Sequence, residues 1–417
     1  MNIVRLQKIR TYYSNYLNRF YADRPGLAHL SYDEQFRALM DDCFGAADFW
    51  TKPLAELGYE TFETISNVEA MQRRWAAEKE VEKNSDADNW LLEITARQVK
   101  WFSPTVLFVA DYVTFNHAFL RQLRADNPSI RCIVGWCGAP YPDAAVFHEY
   151  DIVLSCVPEL VADFRAQGHR AFHVNHAFAP QILEKIDTER TPTTDFAFLG
   201  SIVKAHGFHN ERERLLSALV EATDLQIWAE VQSPAASARR TKLREIVYDM
   251  MCAARRCGIP DSSLAKLPIV GRAARWNERP GSSLPDNLPD TRIAARACPA
   301  LWGRAMYQQL HDSKVSLNTH IDISPVSASN MRLFEATGVG SCLLTDWREN
   351  IATLFEPDAE VVTYRNPEEC VERVNYLLQH EQERQAIARA GQRRTLREHT
   401  YARWAAKFDE AVRQTLS

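Results

Sequence analysis

The stretch from Val315 to Asp346 constrains the fold more than any other part of the chain. Two short apolar runs, which end at Leu317 and Leu344, enclose a polar loop, a helical segment that starts near Ser329, and a pair of glycines. This order of strand, loop, helix and strand is typical of one unit of an open parallel sheet. In such sheets ligands bind beyond the carboxyl ends of the strands, where the polar residues of this stretch are concentrated.

The same alternation of strand and helix extends over most of the chain, beginning with a strand at Ile3–Leu6. Apolar strands such as Thr105–Val109 and Arg131–Trp136 alternate with helical segments, which is typical of a parallel sheet covered on both faces. A chain of 417 residues is too long for one ordinary core. We therefore expect an α/β protein with two Rossmann-like domains, residues 1–188 and 195–398.

The alternation is interrupted between residues 231 and 300, where 12 lysines and arginines stand against 6 aspartates and glutamates. We expect an insertion in the second domain that ends in an extended loop over residues 271–299. Apolar residues between Leu243 and Ala254 recur at helical spacing and are flanked by basic residues. This stripe either faces a core, the more common arrangement, or forms a basic amphipathic surface at residues 238–257 that contacts an anionic membrane.

Charge and cysteine usage exclude several classes of protein. The formal net charge of −5 argues against nucleic acid as the main partner. The apolar runs are far shorter than a membrane span, and the first residues do not resemble a signal peptide. The nine cysteines are an odd number, and their spacings do not fit a zinc site, which indicates reduced thiols. We expect a cytoplasmic protein, at most bound to the inner face of the membrane.

Polar residues around the start of the helical segment suit a phosphate or nucleotide. Ser329 and Asn330 supply hydroxyl and amide groups at a helix N-terminus, whose free N–H groups attract anions. Arg332 and Glu335 are three positions apart on one helix face, and they could bind a diphosphate and a ribose diol. Spacing alone does not separate this interpretation from a surface ion pair beside an ordinary helix cap.

The segment Asn330–Gly340 reads N-M-R-L-F-E-A-T-G-V-G and is followed by S-C-L-L-T-D, which ends at Asp346. It resembles the nucleotide-sugar motif of the CgeB-like glycosyltransferases, a group with the GT-B fold. The resemblance continues to Tyr401 and is thin over the N-terminal region. It implies two Rossmann-like domains that face a cleft, with a C-terminal helix at residues 400–417 that crosses back onto the first domain.

The resemblance also implies where the donor binds. Glu335 corresponds to the ribose-binding glutamate, Arg332 to its neighbouring arginine, and the turn after the strand Asp195–Leu199 would lie near the diphosphate. The expected donor-binding residues are Gly200, Ser201, Lys204, Ser329, Asn330, Met331, Arg332 and Glu335. The donor is expected to be a UDP-, GDP- or dTDP-sugar, and no metal or other cofactor is expected.

Two departures from the family pattern leave the stereochemistry of transfer open. Related retaining enzymes carry an E-x7-E pair, but this chain has Ser327 in place of the first glutamate. They also carry an arginine directly after the glycine turn, where this chain has Ser201. Lys204 or Arg332 would have to supply the missing positive charge. Retention of the anomeric configuration is therefore unsupported.

An inverting transfer would need a general base in the first domain. Asp111 is the best-placed candidate because it comes just after the end of a strand, and His117, His148 and His176 are further candidates. Lone histidines are more often structural than catalytic. His173 and His176 have the spacing H-x2-H without a third ligand, so no metal site is expected.

The expected function is transfer of a sugar from a nucleotide sugar to an acceptor that the sequence does not identify: a glycan, lipid, protein or small molecule. One alternative is a catalytically silent GT-B-like protein that binds a sugar nucleotide or a partner protein. The other is a sugar-nucleotide epimerase on the same fold. An aromatic cluster between Tyr12 and Tyr21 is either part of the core or a platform for the acceptor.

Overall fold

The computed structural model describes residues 3–80, 89–139, 141, 143–202, 210–231, 234–257, 259–260, 290–320 and 324–417. Its framework consists of two sheets, each with six parallel strands. The strands of the first sheet are Arg5–Arg10 (β1), Glu60–Ile65 (β2), Val106–Val109 (β3), Cys132–Trp136 (β4), Ile152–Ser155 (β5) and Ala171–His173 (β6). Their order is β2-β1-β3-β4-β5-β6, so the direction of winding reverses between β1 and β3.

The second sheet is built in the same way. Its strands are Thr194–Leu199 (β7), Gln226–Trp228 (β8), Ala297–Cys298 (β9), Ser313–Asn318 (β10), Cys342–Asp346 (β11) and Val362–Tyr364 (β12). The order β12-β11-β10-β7-β8-β9 is that of a Rossmann sheet, whose winding reverses between β7 and β10. The predicted pair of parallel, Rossmann-like sheets is confirmed.

Helices connect the parallel strands, as parallel pairing requires. In the N-terminal half they are Ser14–Ala22 (α1), Tyr32–Asp41 (α2), Thr51–Glu56 (α3), Glu69–Glu78 (α4), Trp90–Phe102 (α5), His117–Asp126 (α6) and Pro158–Ala166 (α7). In the C-terminal half they are Asn210–Ala222 (α8), Pro234–Arg256 (α9), Thr291–Arg296 (α10), Gly303–His311 (α11), Arg332–Gly338 (α12), Ile351–Leu354 (α13), Pro367–Gln379 (α14), Glu381–Glu398 (α15) and Tyr401–Leu416 (α16). Short 3-10 helices lie at Leu27–His29, Ala144–Glu149 and Pro180–Glu184.

Local sequence explains where several of these elements begin and how they pack. Ser31 and Glu34 form a reciprocal capping box before α2, and the Asn116 side chain caps α6. All four residues of β3 are buried, because helices cover the first sheet on both faces. Apolar clusters on either side of each sheet form the core, and one of them continues across the boundary between the sheets.

The C-terminal helix α16 returns to the first sheet. The backbone N–H of Phe178 donates to His399 O at 2.8 Å, so the two segments that cross between the domains are paired. Phe408 packs on Phe108 of β3 with ring centroids 5.3 Å apart, and the Tyr59 hydroxyl donates to Asp409 at 2.7 Å. The predicted crossing of this helix is therefore confirmed.

Two glycines allow close contacts around the domain boundary. Gly303 has φ +53°, and a Cβ there would lie 2.2 Å from Oδ2 of Asp42, whose carbonyl accepts a hydrogen bond from Arg304 N. A Cβ on Gly338 would lie 2.4 Å from the ring of Phe178, which is buried. Any larger residue at either position would push the two domains apart.

One predicted strand has the wrong bounds, and one predicted loop contains a helix and a strand. The first strand is Arg5–Arg10 rather than Ile3–Leu6, because ion pairs with Glu63 allow Lys8 and Arg10 to be buried in it. An apolar pattern cannot reveal such a strand. Residues 291–298 form α10 and β9 instead of an extended loop, since this two-residue strand adds to the edge of β8.

Of the two interpretations of the stripe on α9, packing against a core does not hold for three of its six residues. Leu243, Ile246 and Met250 are 61%, 49% and 63% exposed in the part of the chain that the structure describes, whereas Met251 is buried. All nine cysteines are free thiols. Within the described ranges, no helix combines the length and the apolar character that a membrane crossing needs.

Candidate functional site

A cleft with a volume of about 800 Å³ lies between the two sheets. The first domain lines it with residues that follow β1, β3 and β4, and the second domain with residues that follow β7, β8 and β10. The start of α12 and Tyr401 of α16 complete the wall. Because the carboxyl ends of parallel strands form the ligand-binding edge of a doubly wound sheet, this cleft is the candidate site.

The predicted Arg332–Glu335 pair lies in the wall formed by the second domain. Nη1 of Arg332 is 2.9 Å from Oε2 of Glu335, and the Tyr307 hydroxyl donates to Oε1 at 3.3 Å. Glu335 is only 5% exposed. Nε of Arg332 is buried and has no hydrogen-bond partner among the described residues. The two side chains therefore form a buried pair in the cleft wall rather than a surface ion pair.

The helix that follows begins later than the sequence predicts. α12 starts at Arg332, after Met331, and has seven residues. Ser329 and Asn330 precede it, because their side chains bond elsewhere: Ser329 Oγ lies 3.3 Å from Ser324 Oγ, and Asn330 donates to Oδ1 of Asn318 at 2.7 Å. Oδ1 of Asn330 is buried without a partner in the described ranges. Side chains, rather than a helix N-terminus, present the polar groups here.

The predicted glycine turn lies beside this loop. Gly200 and Ser201 follow β7 and line the cleft. The sequence did not identify Arg212, a buried residue of α8 whose guanidinium donates to Ser201 O and to Thr319 O, both at 2.8 Å. Arg212 thus joins the ends of β7 and β10, the two strands between which the winding reverses. Lys204, also predicted to bind the donor, lies outside the described residues.

A histidine–aspartate pair that was not predicted from the sequence lies at the ends of β10 and β11. Nδ1 of His320 lies 2.7 Å from Oδ1 of Asp346, and Arg348 Nη2 lies 2.9 Å from Oδ2. Burial tends to raise the pKa of Asp346, but His320 and Arg348 hold it below its usual value. A signal existed: a histidine just after one strand and an aspartate at the end of the next come together in a parallel sheet.

Asp111, predicted as the general base, lines the cleft at the end of β3. Its Oδ2 accepts a hydrogen bond from the Thr11 hydroxyl at 2.5 Å, across the point where the winding of the first sheet reverses. Its Oδ1 accepts from the backbone N–H groups of Val113 and Thr114 at 3.0 and 2.9 Å. Both oxygens are therefore already occupied by the fold.

His176 also lines the cleft, with its ring 5.3 Å from that of Trp136. Loss of hydration lowers the pKa of His176 to about 4, so the ring is neutral at physiological pH. His117 and His148 do not line the cleft. His117 begins α6 with Nδ1 3.7 Å from Asp143, and His148 lies in a 3-10 helix with its ring 5.2 Å from that of His169.

Beneath the wall of the first domain lies a buried ionic cluster that the sequence did not predict. Glu63 accepts from Lys8 at 3.0 Å and from the Thr51 hydroxyl at 2.9 Å, and it lies 2.9 Å from Arg10. All three charged residues are at most 5% exposed. Burial, reinforced by Arg10, lowers the pKa of Lys8 to about 8 despite the nearby carboxylate.

Above this cluster the predicted aromatic segment divides between the core and the cleft. Tyr16 is buried and stacks on Phe44 with ring centroids 3.7 Å apart. Tyr13 is 68% exposed, lines the cleft, and meets Trp302 of the second domain edge-on at 6.0 Å. The core interpretation is thus confirmed for Tyr16, whereas the acceptor platform stays a prediction, with Tyr13 as its exposed residue.

Comparison with known proteins agrees with this architecture. A crystal structure of a glycosyltransferase from Rickettsia africae aligns over 100% of both chains with a TM-score of 0.55 at 8% identity. Sucrose-phosphate synthase from Thermosynechococcus elongatus aligns over 99% of both chains with a TM-score of 0.51 at 8% identity. HepE from Anabaena in complex with UDP-glucose aligns over 98% of this chain and 99% of its own, with a TM-score of 0.52 at 10% identity.

The chain has the GT-B glycosyltransferase fold. In addition, residues 240–410 match the model of a family described as glycosyl transferase-like. No curated protein matches the chain. The matched residues include α12 and the His320–Asp346 pair. Among the described residues, no group of three or more histidine, cysteine, aspartate or glutamate side chains is arranged to hold a metal ion.

Proposed function

We propose that this protein is a glycosyltransferase that transfers a sugar from a nucleotide-sugar donor to a hydroxyl-bearing acceptor. The observation that carries the proposal is the buried Arg332–Glu335 pair, which faces the cleft at the carboxyl ends of two parallel sheets. The GT-B fold and the match to a glycosyl transferase-like family support it. The motif at Asn330–Gly340 favours the CgeB-like group within that fold.

In the proposed donor complex, Glu335 accepts hydrogen bonds from the ribose diol, and Arg332 turns toward the diphosphate with its unpartnered Nε. Gly200 and Ser201 lie close to the diphosphate at the end of β7. We place a UDP-sugar first among the UDP, GDP and dTDP donors, because HepE, which has the same fold, binds UDP-glucose. We propose that basic side chains, rather than a metal ion, supply the positive charge that stabilises the diphosphate. Transfer should therefore continue when EDTA removes metal ions.

The acceptor would lie against the first domain, with Tyr13 offering an exposed aromatic face at the cleft. We propose His176 as the group that takes the proton of the acceptor hydroxyl, since its neutral ring borders the cleft. Asp111 would hold the loop after β3, and His117 would have no part in transfer. The acceptor itself remains to be found by screening glycans, lipids, proteins and small molecules.

The decisive measurement is nucleotide binding by Glu335→Gln. A hydrogen bond to a charged group contributes about 1.5–3 kcal/mol, so UDP affinity should fall about 10- to 100-fold. Calorimetric titration with UDP, GDP and dTDP measures this. Glu372→Gln, an exposed residue of α14 away from the cleft, is the control and should bind as the wild type does.

Unchanged affinity in Glu335→Gln would remove this residue from the site, and no nucleotide binding by the wild type would overturn the proposed function. Incubation of the wild type with UDP-glucose and no acceptor separates the alternatives. Slow release of glucose supports a transferase, an epimerised donor indicates an epimerase, and tight binding without turnover indicates a silent binding protein.

We further propose that α9 contacts an anionic membrane surface. Leu243, Ile246 and Met250 are exposed, and the exposed Lys242 and Arg244 lie beside them, which is the pattern of an interfacial helix. Replacing the three apolar residues with serine should abolish co-sedimentation with phosphatidylserine vesicles. Leu57→Ser, at an exposed apolar residue elsewhere, should not, and equal binding to phosphatidylcholine vesicles would contradict the role of the basic residues.

A further inference from the structure

The imidazole of His320 is held in one orientation. Its Nδ1 bonds to Oδ1 of Asp346, and its backbone N–H donates to both oxygens of the same carboxylate at 3.1 and 3.2 Å. Arg348 holds the far side of that carboxylate. A carboxylate bonded to one ring nitrogen keeps that nitrogen protonated and leaves the other nitrogen for a ligand.

The other ring nitrogen has no protein partner in the described part of the chain. Nε2 of His320 is buried, and the residue is only 2% exposed. His320 lines the cleft, whereas Asp346 and Arg348 do not. Because Nδ1 bonds to Asp346, which does not line the cleft, we infer that the opposite edge of the ring, which carries Nε2, is turned toward the cleft. Buried polar atoms are nearly always paired, so this nitrogen is a candidate for contact with a ligand.

The position of His320 indicates which part of a ligand it meets. β7 and β10 are the neighbouring strands between which the winding of the second sheet reverses, the point where doubly wound sheets bind phosphates of nucleotides. The Arg212 guanidinium bonds to Ser201 O on one side and Thr319 O on the other. His320 therefore adjoins the glycine turn, with a buried cation behind both.

We propose that His320 is a diphosphate-binding catalytic residue: its doubly protonated imidazole, oriented by Asp346, donates Nε2–H to a phosphate oxygen of the nucleotide-sugar donor. This inference rests on the proposed function and assigns to it a residue that the family motif at Asn330–Gly340 does not include. Because Nδ1 is directed at Asp346, the contact with a phosphate oxygen falls to Nε2.

The same contact stabilises the leaving group. During transfer the bond between the anomeric carbon and the phosphate oxygen breaks, and its electron pair stays on that oxygen. The acceptor oxygen forms the new bond to carbon and loses its proton to the base in the first domain. His320 keeps its own proton throughout, and its hydrogen bond strengthens as negative charge grows on the departing diphosphate.

The test uses His320→Asn in the full-length chain, because an asparagine amide can still reach Asp346 in place of Nδ1 but has no group in place of Nε2. His311→Asn is the matched control: His311 also has Nδ1 beside an aspartate, at 3.5 Å from Asp312, but does not line the cleft. Titrations with UDP, uridine and UDP-glucose are compared among these variants, the wild type and Glu335→Gln.

We expect His320→Asn to lower the affinity for UDP about 10- to 100-fold, the effect of losing a charged hydrogen bond. The affinity for uridine should be unchanged, because uridine has no phosphate. Glu335→Gln should lower the affinity for both UDP and uridine, since both contain ribose. Equal UDP affinity in His320→Asn and the wild type would overturn the proposal, as would equal weakening of UDP and uridine. If His320→Asn kept its affinity for UDP but bound UDP-glucose more weakly, Nε2 would contact the sugar rather than the diphosphate. That result would also overturn the proposal.

The outcomes for the two proposals are distinct. If the wild type binds no nucleotide, the proposed function fails, whereas a wild type that binds UDP but is insensitive to His320→Asn refutes only the inference. If His320→Asn does not fold, Asp346→Asn replaces it, because this variant keeps an acceptor for Nδ1 and removes the negative charge that the imidazole contacts. Asp346→Asn should lower the affinity for UDP more than the affinity for uridine. The reverse order would overturn the inference.

Discussion

The two walls of the cleft use their polar groups differently. In the first domain the carboxylates are occupied by the fold: Asp111 accepts three hydrogen bonds, and Glu63 is shared by Lys8, Arg10 and a threonine. In the second domain, buried polar atoms of His320, Asn330 and Arg332 at the cleft have no partner in the described part of the chain, and in the first domain the same holds for Nε of Arg10 and Oδ1 of Asn175.

We expect the second wall, where a histidine, an asparagine and an arginine contribute such atoms, to recognise a charged ligand of fixed shape. Unpartnered donors and acceptors that are held by their neighbours suit a nucleotide diphosphate, whose own hydrogen-bonding groups are fixed. The first wall also presents aromatic rings and a neutral histidine, next to the ionic cluster of Lys8, Arg10 and Glu63. Such a surface suits acceptors that present a hydroxyl on an apolar face.

The largest effect should come from breaking the ionic cluster of the first wall. Glu63→Gln leaves Lys8 and Arg10 buried without a carboxylate, and removal of one partner from a buried ion pair costs about 3–5 kcal/mol of folding free energy. Urea denaturation followed by tryptophan fluorescence measures the change. UDP affinity at low temperature should be unaffected, because the cluster supports the first domain and not the wall formed by the second domain.

Glu60→Gln is the matched control for this variant. Glu60 lies on the same strand and pairs with Arg5 at 3.0 Å, but its side chain is 51% exposed. An exposed pair of this kind contributes about 0–1 kcal/mol. Equal destabilisation by the two variants would show that the cluster is no more important than a surface pair, and loss of UDP binding in Glu63→Gln would remove the contrast between the walls.

The same contrast explains what the sequence could predict. The apolar strands revealed two parallel sheets, because periodicity records burial directly. The segment at Asn330–Gly340 indicated the polar part of the second wall, since its residues lie within one contiguous motif. Lys8 and Glu63 were not predicted, because two charged residues 55 positions apart can be buried in strands only when β1 and β2 pair them.

His320 and Asp346 were missed for a related reason. They are 26 positions apart, and only the pairing of β10 with β11 brings them together. Asp111 illustrates the same limit of a sequence pattern, since its position after a strand made it a candidate base but did not show its hydrogen bonds. Its oxygens are taken up by Thr11 and by the backbone of its own turn, contacts that a position in the sequence does not reveal.

Replacing His176 should have a smaller effect, on kcat rather than on stability. This effect would identify the residue of the first wall that accepts the proton. His176→Gln should lower kcat about 100-fold or more, the usual contribution of a general base. Because the pKa of His176 is lowered to about 4, the ring loses a proton as the pH rises through that value and stays neutral above it. The acid limb of kcat/KM in the wild type should therefore lie near pH 4, well below that of an ordinary histidine, and disappear in the variant.

Asp111→Asn is the comparison for His176→Gln. The asparagine oxygen can still accept from Val113 and Thr114, and its amide can donate to Thr11, so stability should fall by about 1 kcal/mol and kcat by less than tenfold. Initial rates with a UDP-sugar and the acceptor found by screening measure both variants. A large loss of kcat in Asp111→Asn with a small loss in His176→Gln would reverse the assignment. The first wall would then hold a reactive carboxylate after all, and the hydrogen bonds around Asp111 would have to open when the acceptor binds.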